Sequence, residues 1–152
     1  MNLNRRQFLV GSAGIGLAAA LPLGTATATP AMLEEAIHGV VGEATLHQGK
    51  VTLDVPPLVE NGNVVPLTIT VDSPMSEADH VKAIHVFNEK NPQPHVISIA
   101  FGPRAGKAIV STRIKLAEAQ RVVGIAEMSD GSFWSGEAHV IVTIAACVED
   151  VN

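Results

Sequence analysis

From Val51 onward the chain carries short runs in which apolar residues recur at every second position, and few folds accommodate that pattern. Val51, Leu53 and Val55 alternate with Thr52 and Asp54 before Pro56-Pro57 ends the run, and Val65, Leu67, Ile69 and Val71 repeat the pattern after an Asn61-Gly62 turn. A period of two places one set of side chains on one face of a half-buried strand. Further strands are expected over Val81–Phe87, His95–Phe101, Ala108–Lys115, Val122–Met128 and Ala138–Ala146. They are separated by Asn88–Pro94, Gly102-Pro103 and Ser129-Asp130-Gly131, with Leu116–Gln120 as a connection. About seven short strands with a turn signal every ten or so residues imply a mainly β protein, an antiparallel β-sandwich. Aromatic residues are 3% of a chain that is 47% hydrophobic, so the core is aliphatic and β-branched.

One helix is expected ahead of the strands. Pro30 occupies a favoured first helical position behind Thr29 as a cap, with Glu34 and Glu35 in the early turns. Leu33, Ile37, Val40 and Val41 recur at helical spacing, and Gly42 is a plausible stop.

The first 28 residues are read as an address. Arg5-Arg6 followed by Phe8-Leu9 is the core of a twin-arginine signal; an apolar stretch runs from Val10 to Leu23, and Ala26-Thr27-Ala28 is a small-x-small cleavage site. The apolar part, about 14 residues, is too short for roughly 30 Å of hydrocarbon, so cleavage after Ala28 is expected rather than anchoring. Removing residues 1–28 takes Arg5 and Arg6 and no acid. The remaining 124 residues then carry 8 basic and 15 acidic side chains, a formal charge of −7. A surface that acidic disfavours nucleic acid and anionic lipid as partners. Twin-arginine export usually moves folded proteins, which suits either a cofactor loaded inside the cell or a partner subunit carried along.

The one cysteine, Cys147, lies five residues from the end, where a strand-like run gives way to an acidic tail. In an oxidising compartment a lone thiol has no internal partner, so it stays free, is modified, or bonds to another molecule. The bland reading is a small buried residue closing the last strand. The polar tail beside it favours exposure.

Several segments, in order, resemble one family. They are Asn61-Gly62-Asn63-Val64-Val65-Pro66-Leu67, Val71-Asp72-Ser73-Pro74-Met75, Ile84-His85-Val86-Phe87 and Asn91-Pro92, then Thr112–Ala117, Gln120-Arg121-Val122-Val123 and Met128-Ser129-Asp130-Gly131. Together they look like SoxY, one subunit of a heterodimeric sulfur carrier in bacterial thiosulfate oxidation. The resemblance implies a periplasmic protein with an immunoglobulin-like sandwich over residues 29–143 and a C-terminal arm over 144–152. It implies that Cys147 is the point of covalent substrate attachment, and that a SoxZ-like subunit is the partner. It also implies transient visits to a haem enzyme, a sulfate-releasing hydrolase and a sulfane dehydrogenase. The carrier itself is no enzyme, and no cofactor or metal is expected. Val140-Ile141-Val142-Thr143-Ile144 matches the family's last strand, and Cys147 follows at the family's distance.

The residues around the thiol depart from the family's Gly-Gly-Cys-Gly-Gly ending. Ala145 and Ala146 precede Cys147, and Val148, Glu149 and Asp150 follow it. Alanine and valine restrict the backbone and add bulk where glycine allows threading into narrow pockets. Glu149 and Asp150 disfavour a thiolate and repel an incoming anion. A divergent relative with a binding or structural role is therefore the alternative within the family.

Six histidines, His38, His47, His80, His85, His95 and His139, with the single cysteine form a rival constellation. Imidazole with thiolate suits iron, copper or zinc, as in the iron centre of superoxide reductases. No pair has close ligand spacing; His139 and Cys147 lie some 25 Å apart on an extended strand. Trp134 with Phe133 could form a recognition surface, though packing is the commoner use. Arg104 and Lys107 could attract an anion, and Arg113 could pair with a carboxylate. No hydrolase triad or phosphate loop stands out.

Overall fold

The computed structural model describes residues 30–146, one helix and nine strands. Helix α1, Pro30–Val41, begins on its proline and ends as Gly42 takes a positive φ of 60° and donates its N–H to His38 O at 2.7 Å. Glycine adopts this left-handed closing position without a Cβ penalty. Strands β1 Leu46–Gln48, β2 Val51–Asp54, β3 Leu58–Asn61 and β4 Val65–Val71 follow. After them come β5 Val81–Asn88, β6 His95–Ala100, β7 Ala108–Ile114, β8 Gln120–Met128 and β9 Phe133–Ile144.

The strands form two sheets. The larger runs β1-β9-β8-β5-β6, with β3 also pairing β9, and the smaller runs β2-β4-β7. Val65, Leu67, Ile69 and Val71 point from β4 into the space between the sheets, where they meet Ile84, Val86, Val122, Ala126 and Val140. The alternate residues of the larger sheet, Phe87, Val123, Ile125 and Phe133, pack under Leu33 and Val41 of the helix. The molecule is thus a sandwich with a helix laid on its outer face. The helical spacing of Leu33, Ile37, Val40 and Val41 is the stripe that docks there.

The sandwich agrees with the sequence reading, and three details differ. There are nine strands rather than about seven, because β1 and β3 are too short to display a period. Both pair with β9 in parallel, so the larger sheet is not wholly antiparallel. The last strand starts at Phe133, five residues before the expected Ala138, and ends at Ile144 instead of Ala146. Gly136 hides its first half, because a glycine interrupts the alternation. The reason is packing: Gly136 faces Gly124 across the β8–β9 ladder, and β2 crosses directly over the pair, with Val51 and Leu53 against them.

Candidate functional site

Strand β9 delivers the chain to its C-terminal segment, and its final residues are tied along their length. Ile141 donates to Pro57 O at 2.9 Å, and Thr143 Oγ1 donates to Glu60 O at 3.1 Å. Beyond them lies a three-part clasp. Gly62 donates its N–H to Ile144 O at 2.8 Å and accepts at its own carbonyl from Leu116 N at 2.9 Å; Leu116 O accepts from Ala146 N at 3.1 Å. Ala145 is exposed, but Ala146 is buried. The chain is therefore held to the domain up to the residue before Cys147.

A buried polar knot holds Leu116 in place. Asn91, 8% exposed, donates Nδ2 to Lys115 O at 2.9 Å and accepts at Oδ1 from Ala117 N at 2.9 Å and Gln120 Nε2 at 2.8 Å. Gln120, 5% exposed, accepts at Oε1 from Lys90 N at 2.8 Å. Buried amides cost little when every bond is made, and here each fixes the 115–120 connection on which the clasp hangs. Around this base lie exposed apolar side chains. Leu58 and Ile141 are cross-strand partners, 58% and 59% exposed, and Ile144 and Val64 are exposed nearby. Alongside, an open depression of about 280 Å³ is lined by residues that include Lys90, Gln120, Arg121 and His139.

The sequence-predicted residues fare differently. Ala145 and Ala146 sit at this base; Cys147 and Val148, like Arg5, Arg6 and the cleavage point at Ala28, fall outside the described residues. The histidines are scattered. His38 pairs with Glu43, His47 stacks on Trp134, His80 caps a loop, and His139 lies exposed on β9. Only His85 and His95 approach each other. Both contact Ser98 Oγ, at 2.6 and 2.8 Å, with ring centroids 6.5 Å apart. Burial pushes the His85 imidazole below its ordinary range; Glu127 opposes the shift and His95 adds to it. Its Nε2 is buried without a partner among the described residues. No three of the described His, Cys, Asp and Glu residues cluster closely enough to hold a metal ion. Phe133 is buried under the helix, while Trp134, half-buried, carries Lys50 over its ring at 4.7 Å, so this pair packs. Arg104 lies exposed in its loop, and Lys107 lines an open depression with Lys50, Thr52 and Thr70. Arg113 is exposed on β7. Sequence reasoning missed Gly62, Asn91, Leu116 and Gln120 as a unit, although each lies within a segment that carries the family resemblance.

The family profile for the sulfur oxidation protein SoxY matches residues 37–147. The chain belongs to the SoxY family. A twin-arginine signal profile matches residues 2–22, so the protein is exported by that pathway to the periplasm. Among solved structures, the SoxY sulfur carrier from Chlorobium limicola f thiosulfatophilum superposes with a TM-score of 0.64 at 27% identity, covering 75% of this chain and 98% of its own. A superoxide reductase (neelaredoxin) from Ignicoccus hospitalis gives 0.56 at 16% identity, covering 62% and 80%. A putative superoxide reductase from Thermotoga maritima gives 0.54 at 18%, covering 65% and 93%. The reductase likenesses show a shared fold alone. A search of curated proteins returned no match. Membership in SoxY makes a sulfur-carrier role the coarse function of this chain.

Proposed function

We propose that this SoxY-family chain carries thiosulfate-derived sulfur covalently on Cys147 and presents it to partner enzymes, working as a heterodimer with a SoxZ-like subunit. The observation that carries the reading is that the family match runs to residue 147, one past the clasped Ala146, so the sole thiol follows directly from a fixed point of the domain. A thiol is the group the chemistry needs, because sulfur–sulfur bonds form and break through thiolate attack at sulfur. Loading joins the Cys147 sulfur to the sulfane sulfur of thiosulfate. The thiol loses its proton, and an electron pair passes to a haem enzyme as the S–S bond forms. Water then attacks the terminal sulfonate sulfur on a hydrolase, releasing sulfate and leaving a persulfide on Cys147. A sulfane dehydrogenase takes six electrons from that remaining sulfur while three waters supply its oxygens, giving a sulfonate on Cys147; hydrolysis then releases it as sulfate and frees the thiol. The chain's own part is to hold and present.

Intact mass spectrometry of the exported protein with its co-purified partner, before and after the thiosulfate-loading system, tests this. The expected result is a thiosulfonate adduct that is lost on reduction and absent in Cys147→Ser. A thiol that alkylates readily yet never gains the adduct, under conditions that load a glycine-flanked relative, would leave only a binding role.

A further inference from the structure

Gly62 is buried where three backbone segments converge, and it has no room for a side chain. A Cβ there would stand 2.9 Å from Ala146 N and 3.0 Å from Val142 Cγ1, with Leu116 O closer still. The first and last of these atoms are backbone and belong to the hydrogen bond that closes the clasp. A methyl at position 62 would therefore be driven between the donor and acceptor that hold Ala146. The carbonyl of Leu116 cannot retreat freely, because Lys115 O and Ala117 N on either side are bound by Asn91. Ala146 contributes as well, since its methyl lies buried rather than in solvent.

We propose that Gly62 is a positioning residue for the carrier cysteine. Together with Leu116 it locks the backbone at Ala146, so that the next residue is offered from a fixed point on the domain surface. This rests on the reading of Cys147 as the attachment point. Covalent geometry puts consecutive Cα atoms about 3.8 Å apart, so an anchor at Ala146 leaves a single residue of slack before the sulfur. The alanines that replace glycine at 145 and 146 suit such an anchored exit, where a buried methyl and a restricted backbone both help.

The test uses the exported chain with its partner, since Cys147 is the one cysteine and takes a nitroxide label without further substitution. In the wild-type protein the Ala146 amide should exchange at least about tenfold more slowly than in an unstructured peptide, as loss of one buried backbone hydrogen bond implies. The label should give a motionally restricted spectrum. Gly62→Ala should remove the Ala146 protection and mobilise the label. Ala146→Pro, which deletes the donor and leaves residue 62 a glycine, should mobilise the label in the same way and answers the question if Gly62→Ala does not fold. Leu33→Ala, which loosens the helix far from the clasp, should lower the melting temperature and leave the spectrum unchanged. Peptide-like exchange at Ala146 in the wild type, or a label equally mobile in all four proteins, overturns the proposal. A protected Ala146 in a chain that never gains the adduct on unlabelled Cys147 overturns the carrier reading and leaves the clasp standing.

Discussion

The crossing of β2 over the Gly124–Gly136 pair makes a quantitative prediction, because two chemically identical substitutions at facing positions meet different obstacles. A Cβ on Gly136 would lie 2.9 Å from Val51 C and nearer still to its carbonyl oxygen, where ordinary contact begins at 3.4 Å. The obstacle is backbone, so either β2 lifts from the larger sheet or β9 bends, by on the order of 1 Å. A gap of that size forfeits a quarter to a half of the dispersion energy along the facing side chains, here Val51 and Leu53. Overpacking of this kind costs about 1–3 kcal/mol, and a rigid obstacle puts Gly136→Ala at the upper end. The stiffer unfolded chain returns about 0.5–1 kcal/mol, leaving a net loss of about 2 kcal/mol. For a domain of this length that is a fall of roughly 6–10 °C in melting temperature. A Cβ on Gly124 instead meets the tip of Leu53, Cδ1 at 3.1 Å, and Val51 Cγ1 at 3.3 Å, side-chain atoms that can turn aside. Gly124→Ala should therefore fall within about 0.5 kcal/mol of wild type, the strain and the unfolded-state gain nearly cancelling. Thermal unfolding of the three proteins by far-ultraviolet circular dichroism decides it. Equal melting temperatures for the two variants, or a Gly136→Ala protein as stable as wild type, would refute the close-approach argument.

Asn91→Ala strands Lys115 O and Ala117 N and leaves Gln120 Nε2 only its bond to Glu118 O, and should cost about 2–3 kcal/mol in urea unfolding with an unchanged m-value. Gly42→Ala forces a side chain into a φ of 60° and should cost about 1 kcal/mol, with Gly42→Asn costing less, read from the same unfolding curves. His85 titrates below its ordinary value in the folded state, so the unfolded chain binds more protons as pH falls through about 6.5. The stability it contributes above that pH is lost on acidification, and His85→Gln should flatten the slope of unfolding free energy between pH 7.5 and 5. An unchanged slope would remove His85 from the account.

Much of the fold was legible because burial on one face writes itself into alternate positions. Val65–Val71 is one strand in both sequence and structure, since β4 is central in its sheet and every second residue reaches the core. The helix was legible from its docking stripe and its closing glycine. What escaped notice was short or set by distant contacts. Leu46–Gln48 and Leu58–Asn61 owe their extended form to β9, some eighty residues later, and no local pattern records that pairing. At the candidate site, sequence pointed to Cys147 and its neighbours because a lone thiol is chemically conspicuous. The clasp behind it is made of backbone groups and two amides. Gly62 reads locally as half of a turn, and Asn91 as the residue before a proline; only the tertiary structure turns them into the anchor of the chain's end.

Strand β9 also bears on when the molecule can finish folding. It lies between β8 on one edge and β1 and β3 on the other, yet among the described strands it is the last to be synthesised. A nascent chain ending before Phe133 leaves β1 and β3 without the strand they pair with and β8 with a bare edge. Assembly of the larger sheet is thus a post-translational event that waits for the cysteine-bearing end. A twin-arginine signal serves a route that usually moves folded proteins. Topology and route fit together: the larger sheet can close only once Phe133–Ile144 has been made, and a pathway that usually moves folded proteins takes the chain after that point.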